Sequence, residues 1–485
     1  MRYRIFIAVG FVLALSPRAI LAFGAPLSMD SLEQRRGEKI TVPLLAQIIS
    51  VPDHPDRFQA VSAAAELDED AKPLVPLLIE ALSDKDQGIR CNAAHALSDI
   101  GPSAAEAVPQ LIKTLGDDHE FVRINCAHAL GDIGPRASAA VPALMAIVRG
   151  DVPSDYQFVA ADALGKIGIE AQQAVPLLVS ALRRTQNPAD LRGATASALG
   201  QIAVGHQPSV LAALADAAKL DPENEQVGSD DSEPYEESLV RIAAALSLWK
   251  LNHHPHAIPW LIATARRERN AALVRERAIE ALAEIGPDAG AATDLLVSLA
   301  AEYGHKKAFQ SYRWEAFKAL GMIGRRAESA IPMLAGQIDL EYGERASEVA
   351  IDALGRIGPP AQIAAPVLFQ ALAMPWKEFE LAYRPRVRLA AAVALRRTDA
   401  DTGPTVPVLI SLLSIEETPV FHSRFVGRRL AAHIRRDAAG ALGELGASAR
   451  DAIPALTRLL QDDFITVREA AELAIHRIDT NRDDR

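Results

Sequence analysis

Histidine and aspartate side chains recur in this sequence at an interval that places them beside one another. His95 and His128 occupy equivalent positions in two copies of a repeated phrase, and Asp99 and Asp132 follow them with the same four-residue spacing. On a helix, a four-residue spacing puts two side chains on one face, one turn apart. Imidazole nitrogens and carboxylate oxygens are ligands for divalent transition metals. A metal site is therefore one hypothesis for these four residues, and a polar surface that contacts a partner is the other.

The repeat spacing favours the partner surface. Side chains one repeat apart start from backbones about 9–10 Å apart, and the copying of a repeat produces such pairs without any metal. Asp162 and Lys166 continue the same two columns one repeat later. We therefore predict no metal and no other cofactor, and a protein partner that contacts the following six residues: His95, Asp99, His128, Asp132, Asp162 and Lys166.

One phrase recurs along the chain and defines the unit that carries these residues. It reads Ala-Leu-Ser-Asp-Ile-Gly-Pro at 96–102, and close copies stand at 129–135 and 163–168. A proline after a small or branched residue recurs with it at a nearly constant interval, at Pro43, Pro76, Pro109, Pro142 and Pro176. Self-similarity at a fixed period of this length is typical of a solenoid of stacked repeats.

Each unit has the pattern of two helices. Apolar residues follow a helical spacing from Val122 to Ile133. Gly134 and Pro135 then end the helix, because glycine adopts the left-handed conformation and proline cannot continue a helix. A second helix begins near Pro142, in the first turn, where a proline is tolerated. Only 5 % of residues are aromatic, and a core of alanine and leucine suits closely packed helices. The sequence predicts an all-α fold.

The phrases resemble the HEAT-repeat family, particularly the short repeats related to those of phycobilin lyases, over roughly residues 40–480. An aspartate between the helices precedes an arginine by six positions at Asp84/Arg90, Asp117/Arg123 and Asp462/Arg468. The arginine alone recurs at Arg192, Arg241, Arg275, Arg313, Arg388 and Arg435. The resemblance implies a right-handed α-solenoid of about eleven to twelve two-helix repeats. It also implies that these residues form a structural ladder of charge-assisted hydrogen bonds between repeats. Gln157 and Ser347 interrupt the arginine column.

The N-terminus has the pattern of a secretory signal peptide. Arg2 and Arg4 precede an apolar run from Ile5 to Leu15, and small residues follow up to Ala22. The run is too short to span a bilayer comfortably, and an uncleaved anchor is the alternative. We expect a secreted or periplasmic protein with no membrane span after removal of the signal. The expected segments are a signal peptide at 1–24, the solenoid at 25–480, an acidic loop insertion at 221–238 and a disordered tail at 481–485.

Charge is distributed unevenly along the chain. Residues 23–240 contain 16 Lys and Arg against 32 Asp and Glu, whereas residues 241–485 contain 32 against 30. An acidic surface repels the phosphates of nucleic acids and favours basic partners. We therefore predict no nucleic-acid partner. Two cysteines, Cys91 and Cys126, make no disulfide framework, and we interpret them as buried small apolar residues.

The leading functional hypothesis is an exported, non-enzymatic scaffold for protein–protein interaction that binds its partner along a concave helical surface. The sequence contains no nucleophile elbow, phosphate-binding glycine loop or Cys-X-X-Cys pair. The alternative, implied by the resemblance, is a lyase-type enzyme or enzyme subunit that handles a prosthetic group.

Overall fold

The computed structural model of the 485-residue chain describes residues 28–36, 39–150, 156–204, 207–220, 234–266, 272–302, 310–338, 345–374, 384–400, 402–416 and 424–480. Within these ranges the regular elements are all helices and none is a strand, which confirms the predicted all-α fold. In the same ranges, no helix combines the length and the apolar character needed to cross a membrane.

Three predicted segments fall wholly or largely outside the described residues: the signal peptide at 1–24, the acidic insertion from 221 to 233, and the tail at 481–485. The insertion was predicted to extend to 238, and this boundary is wrong. Residues 235–238 form the first turn of a helix that begins at Tyr235. Pro234 precedes this helix and Glu236 and Glu237 lie in its first turn, where acidic side chains favour a helix start.

The described α-helices follow one another in this order: α1 (Ser28–Arg36), α2 (Val42–Ile49), α3 (Arg57–Ala65), α4 (Val75–Ala81), α5 (Gln87–Ile100), α6 (Val108–Thr114), α7 (Glu120–Ile133), α8 (Val141–Arg149), α9 (Gln157–Ile167), α10 (Val175–Arg183), α11 (Ala189–Ile202), α12 (Pro208–Ala218), α13 (Tyr235–Asn252), α14 (Ala257–Arg266), α15 (Ala272–Ile285), α16 (Thr293–Glu302), α17 (Gln310–Ile323), α18 (Ile331–Ala335), α19 (Arg345–Ile357), α20 (Ala365–Leu372), α21 (Arg384–Arg397), α22 (Thr405–Leu412), α23 (Arg424–Leu445), α24 (Ile453–Leu459) and α25 (Ile465–Thr480).

From α2 onward, an even-numbered helix is the first of a pair and the following odd-numbered helix, usually the longer, is the second. We call the odd-numbered ones the second helices. Twelve such pairs lie within the described residues, in agreement with the predicted eleven to twelve repeats. In the pair of α6 and α7, Pro109 lies in the first turn of α6. Gly134 ends α7 with φ 73°, a conformation that favours glycine. A short 3-10 helix, Gly134–Ala140, then leads into α8.

The chain divides into two compact units, Met1–Ala281 and Leu282–Arg485. In the first unit, the second helices α3, α5, α7, α9, α11 and α13 each contact the next one in order, and each first helix from α2 to α12 contacts the second helix of its own pair. In the second unit, α17, α19 and α21 contact one another in the same way, and α23 contacts α25. Each unit is therefore a stack of helix pairs.

A glycine in the second helices allows consecutive pairs to approach closely. A Cβ atom on Gly131 would lie 3.0 Å from the Cα of Ala163 in the next second helix. A Cβ atom on Gly321, in the second unit, would lie 2.9 Å from the Cα of Ala353. The distance at Gly321 is shorter than real Cβ contacts and the one at Gly131 is tighter than nearly all of them, so the glycines serve helix packing in both units.

Candidate functional site

The six residues predicted to contact a partner lie on neighbouring second helices of the first unit. We call them the polar row: His95 and Asp99 on α5, His128 and Asp132 on α7, and Asp162 and Lys166 on α9. Because α5 contacts α7 and α7 contacts α9, the structure brings all six into one region of the surface. The helical spacing of four residues within each helix and the packing between helices together determine this arrangement.

Lys166 connects two of the three second helices that carry the polar row, α9 and α7. Its Nζ lies 2.9 Å from Asp132 Oδ1 on α7 and 3.1 Å from Asp162 Oδ2 on its own helix. The Ser98 hydroxyl of α5 donates a hydrogen bond to the other carboxylate oxygen of Asp132. Burial opposes the charged form of Lys166, but the two aspartates outweigh it and raise the pKa of this ammonium group. Asp132 is thus the centre of a hydrogen-bonded connection across three second helices.

The two histidines of the row are held in the neutral form. Burial lowers the pKa of His95, and the neighbouring His128 lowers it further, whereas Asp132 acts in the opposite direction. Burial also lowers the pKa of His128, with a further contribution from the Lys166 ammonium. His95 Nε2 lies 3.5 Å from a carboxylate oxygen of Asp99. At neutral pH the row therefore carries three carboxylates, one ammonium and two uncharged imidazoles.

The row is only partly accessible. The side chains of Lys166 and Asp132 are 36 % and 33 % exposed, and those of His95 and Asp99 are 28 % and 23 % exposed. Asp162 is buried, with 9 % of its surface exposed. Five of the six side chains can therefore contact a partner, whereas the buried Asp162 forms an ion pair with Lys166.

The described residues include no group of three or more His, Cys, Asp or Glu side chains placed to hold a metal ion. The geometry of the row gives a physical reason at this position. The Lys166 ammonium group occupies the space between the carboxylates of Asp132 and Asp162, and its positive charge would repel a metal cation there.

Some of the predicted ladder residues form hydrogen bonds between consecutive repeats, whereas others, such as Arg241, Arg275 and Arg388, bond within their own helix pair. Arg90 donates from Nε and Nη2 to both carboxylate oxygens of Asp117 in the next repeat, at 2.7 and 2.9 Å. Its Nη1 donates to the carbonyl of Asp84 in its own repeat, at 2.9 Å. Arg123 repeats this last contact with the carbonyl of Asp117, at 2.7 Å. Asp117 therefore receives one arginine on its carboxylate and another on its carbonyl.

The aspartate also stabilises the turn that carries it. An oxygen of Asp117 accepts the backbone N–H of His119 at 2.9 Å, and Asp84 accepts that of Asp86 at 2.8 Å. Hydrogen bonding from Arg90 is the main cause of the lowered pKa of Asp117. Near the end of the chain, Arg435 donates to both oxygens of Asp462 at 2.8 and 2.9 Å.

The remaining ladder arginines bind backbone carbonyls at the ends of first helices. Arg241, Arg275 and Arg388 donate from Nε to the carbonyls of Ala218, Ala265 and Leu372, each at 3.1 Å. These carbonyls have no partner within the helix that they end, so the guanidinium groups satisfy them. Two others use side-chain oxygens: Arg192 pairs with Glu237, and Arg313 with Gln337. Arg468 donates to the carbonyl of Asp462.

Three contacts of the ladder were absent from the sequence prediction. Arg57 pairs with Asp84 and so adds a repeat to the ladder at its N-terminal end. Gln157, which interrupts the arginine column, donates to the carbonyls of Ile147 and Val148 at 3.3 and 3.2 Å and so replaces the missing guanidinium. Arg241 lies over the ring of Trp260, 4.9 Å from its centre. The alignment of Arg57 with Arg90, one repeat later, could have revealed the first of these.

The two cysteines remain free thiols, with Cys126 buried and Cys91 half-buried. Burial raises the pKa of both thiols, so neither is poised as a thiolate.

Comparison with protein families identifies the repeat. The family model "HEAT repeats" matches residues 41–105, 102–165 and 141–227, and the model "PBS lyase HEAT-like repeat" matches residues 434–462. The residues matched by these models therefore carry HEAT repeats, which confirms over these ranges the resemblance predicted from the sequence. No curated protein matches the chain.

Several solved structures are similar to this chain. Importin beta is 16 % identical, with a TM-score of 0.46, and the match covers 90 % of this chain and 62 % of that one. The karyopherin Kap121p, bound to the extreme C-terminus of the protein phosphatase Cdc14p, is 12 % identical, with a TM-score of 0.48 and coverages of 91 % and 55 %. The CpcE and CpcF complex of phycocyanin lyase from Nostoc sp. PCC7120 is 22 % identical, with a TM-score of 0.36 and coverages of 61 % and 94 %. The chain thus spans less than two thirds of the importin beta and Kap121p chains.

Proposed function

We propose that this HEAT-repeat protein is an exported, non-enzymatic scaffold that binds a protein partner along the second helices of its first unit. The observation that carries the proposal is the polar row, in which three consecutive second helices, α5, α7 and α9, present ionisable side chains in one region. Repeat proteins bind through extended surfaces of this kind, built from equivalent positions of successive repeats. Many modest contacts along the row would supply the affinity.

The charge of the row favours a basic partner. Three carboxylates oppose one ammonium group, and the lowered pKa values of His95 and His128 keep both imidazoles neutral. The surrounding sequence, residues 23–240, has twice as many acidic as basic residues. Each carboxylate has about four positions for hydrogen-bond donors, so Asp132 keeps acceptor capacity beside its bonds to Ser98 and Lys166. A lysine- or arginine-bearing segment is the complementary ligand.

A pull-down with the purified chain tests this proposal. The bait is incubated with proteins of the secreted or periplasmic fraction, and we expect a basic protein to be retained. The double variant Asp99→Asn, Asp132→Asn should retain it about tenfold less, because two carboxylates are lost without a change in side-chain shape. The matched control, Glu106→Gln with Glu170→Gln, removes two exposed charges from the 3-10 turns of the same unit and should retain it normally.

Two results would contradict the scaffold. One is a bait that retains no exported protein, and the other is equal retention by the row variant and the wild type. Export itself is tested separately, by finding the N-terminus of the protein from its native host. A start near residue 25 supports a cleaved signal, and a start at Met1 contradicts it.

The second hypothesis, a lyase-type enzyme or enzyme subunit, has one observation in its favour. Residues 434–462 match the PBS lyase HEAT-like repeat, which is a single repeat in a chain with twelve described helix pairs. If the chain holds a pigment as its prosthetic group, the protein purified from the native host should be coloured. Visible absorbance that co-purifies with the chain would favour this hypothesis over the scaffold.

A further inference from the structure

A groove in the second unit is lined by arginine. It has a volume of about 1110 Å³ and lies beside the last turns of α17, α19 and α21 and the 3-10 turns that follow α15 and α17. Among the described residues, four basic ones line it, called here the arginine groove: Arg325, Arg326, Arg356 and Arg397. Glu328 is the acidic residue in this described lining.

The carboxylates around the groove do not saturate its guanidinium groups. Asp352 serves two arginines, with Arg356 Nε at 2.7 Å and Arg397 Nη1 at 3.5 Å. Arg326 pairs with Asp288 at 3.1 Å, but both side chains are more than half exposed. A guanidinium group has five N–H donors, and each of these pairs uses only one or two of them. Donors therefore remain available to a ligand in the groove.

Arg325 adds a further cation to this lining. It is exposed, and no ion pair to it occurs among the residues that the structure describes. The lining also contains an apolar contact surface, because the Met322 side chain is 39 % exposed. Arg356 Nη1 lies 3.4 Å from the sulfur of Met322. The flexible thioether adapts to ligands of different shape.

The fold alone does not demand arginine at these positions. Basic side chains in the last turn of a helix are favoured by the helix dipole, which is the simplest explanation of Arg356 and Arg397. However, the equivalent positions of the first unit carry Asp99 and Asp132 beside the basic Lys166, and the dipole disfavours the charge of the two aspartates. Since the same repeat folds with either charge, the arginines call for a further explanation.

We propose that the arginine groove binds an extended acidic segment of a partner protein. Helices in contact are about 8–10 Å apart, and the close approaches at Gly321 and Gly355 hold α17, α19 and α21 at such spacing. An extended chain advances about 3.3 Å per residue. Three residues thus match one repeat, so acidic residues at every third position meet successive arginines. Arginine binds carboxylates with two parallel hydrogen bonds, which adds geometric specificity.

An acidic protein segment fits better than a single-stranded nucleic acid. The described lining contains no aromatic side chain on which bases could stack. Residues 241–485 contain nearly equal numbers of basic and acidic residues, so they do not have the strongly basic composition typical of a domain that binds nucleic acid. Glu328 in the lining repels a polyphosphate locally, but a peptide of moderate charge can place its carboxylates away from it.

Fluorescence anisotropy with the full chain tests this inference. The probe is a fluorescein-labelled peptide of four Glu-Ser-Ser units, and its isomer has four contiguous glutamates followed by eight serines. We expect the spaced peptide to bind, and the isomer to bind at least about fivefold more weakly, since its carboxylates reach fewer repeats. Absence of binding at millimolar probe, or equal affinity for the two isomers, would overturn the proposal.

Matched variants locate the binding. Arg356→Gln with Arg397→Gln should weaken the spaced peptide about tenfold or more, because two bidentate partners are lost. The control, Arg450→Gln with Arg458→Gln, removes two exposed arginines elsewhere in the same unit and should bind as the wild type does. Equal loss in both variants indicates attraction by net charge only and overturns the site. Melting temperatures of both variants verify folding.

A competition and a row variant complete the design. A single-stranded oligonucleotide of equal charge should displace the peptide poorly, and tighter binding of the oligonucleotide would overturn the choice of ligand. The row variant Asp99→Asn, Asp132→Asn should bind the spaced peptide normally. A failure of peptide binding at the arginine groove can thus be distinguished from a failure of partner binding at the polar row.

Discussion

Two second helices in each unit carry opposite charges at equivalent positions, although the column as a whole is mixed. Lys166 follows the two aspartates in the first unit, and Glu284 and Glu444 stand beside the arginines in the second. In the first unit, Asp99 and Asp132 stand two residues before the glycine that ends the helix. In the second unit, Arg356 occupies the same place before Gly358, and Arg397 lies in the last turn of the next second helix. The helix packing beside these positions is the same in both units, because Gly131 and Gly321 each allow a close approach to the next second helix. The repeat therefore determines the helix packing, and it accepts either charge two residues before the terminal glycine.

The largest expected effect tests the part that the two units share. Gly131→Val and Gly321→Val should each lower the free energy of unfolding by about 3 kcal/mol, because the new side chain overlaps the backbone of the next second helix. Urea unfolding followed by circular dichroism measures this. Gly193→Val and Gly440→Val are the controls, since a Cβ atom at either position meets nothing within 4 Å. Strong destabilisation in only one unit would show that the packing is not shared.

The ladder is the second shared feature, with a smaller expected effect. Asp117→Ala removes the bidentate partner of Arg90 and the acceptor of the turn N–H. We expect a loss of about 2 kcal/mol, because a mostly buried charged hydrogen bond is broken. Asp462→Ala should cost a similar amount in the second unit, where it pairs with Arg435. The neighbouring Asp118→Ala, at an exposed position, should change the unfolding midpoint little.

Acidification should distinguish the units, because the polar row of the first contains two histidines and the described lining of the arginine groove contains none. When the pKa of a histidine is lower in the folded state than in the unfolded state, the unfolded state binds the proton more strongly. The free energy of unfolding therefore falls as the pH drops below about 6.5, the pKa of an unperturbed histidine. The wild type should therefore lose a few degrees more of melting temperature between pH 7 and pH 5.5 than the variant His95→Asn, His128→Asn. Identical pH profiles would mean that these imidazoles titrate normally.

The smallest expected effect concerns the charged position itself. Arg356→Gln and Asp99→Asn should each change the free energy of unfolding by less than about 0.5 kcal/mol, since both side chains are at least partly exposed. Thermal or urea unfolding of the single variants checks this. A loss in either variant as large as that expected for the buried ladder aspartates would show that the charge serves the fold, and the contrast between the units would lose its functional meaning.

Much of the candidate site followed from repeat register. The columns of the repeat predict the six residues of the polar row, and packing of α5, α7 and α9 brings them together. The register did not show that Lys166 bridges Asp132 and Asp162, or that Asp162 is buried. It also missed the arginine groove, although Arg356 and Arg397 occupy the same column, because the groove depends on the turns after α15 and α17.

The sequence by itself determined the helical repeat, the approximate number of repeats and most helix ends, although not the start of α13 at Tyr235. Helical periodicity, prolines in first turns and glycines such as Gly134 act through the local backbone. Their effect can therefore be predicted from the sequence of a single repeat. Only the tertiary structure decided which charges neutralise one another. Arg90 meets Asp117 across 27 residues and Lys166 meets Asp132 across 34, and such pairings depend on how closely successive helices pack.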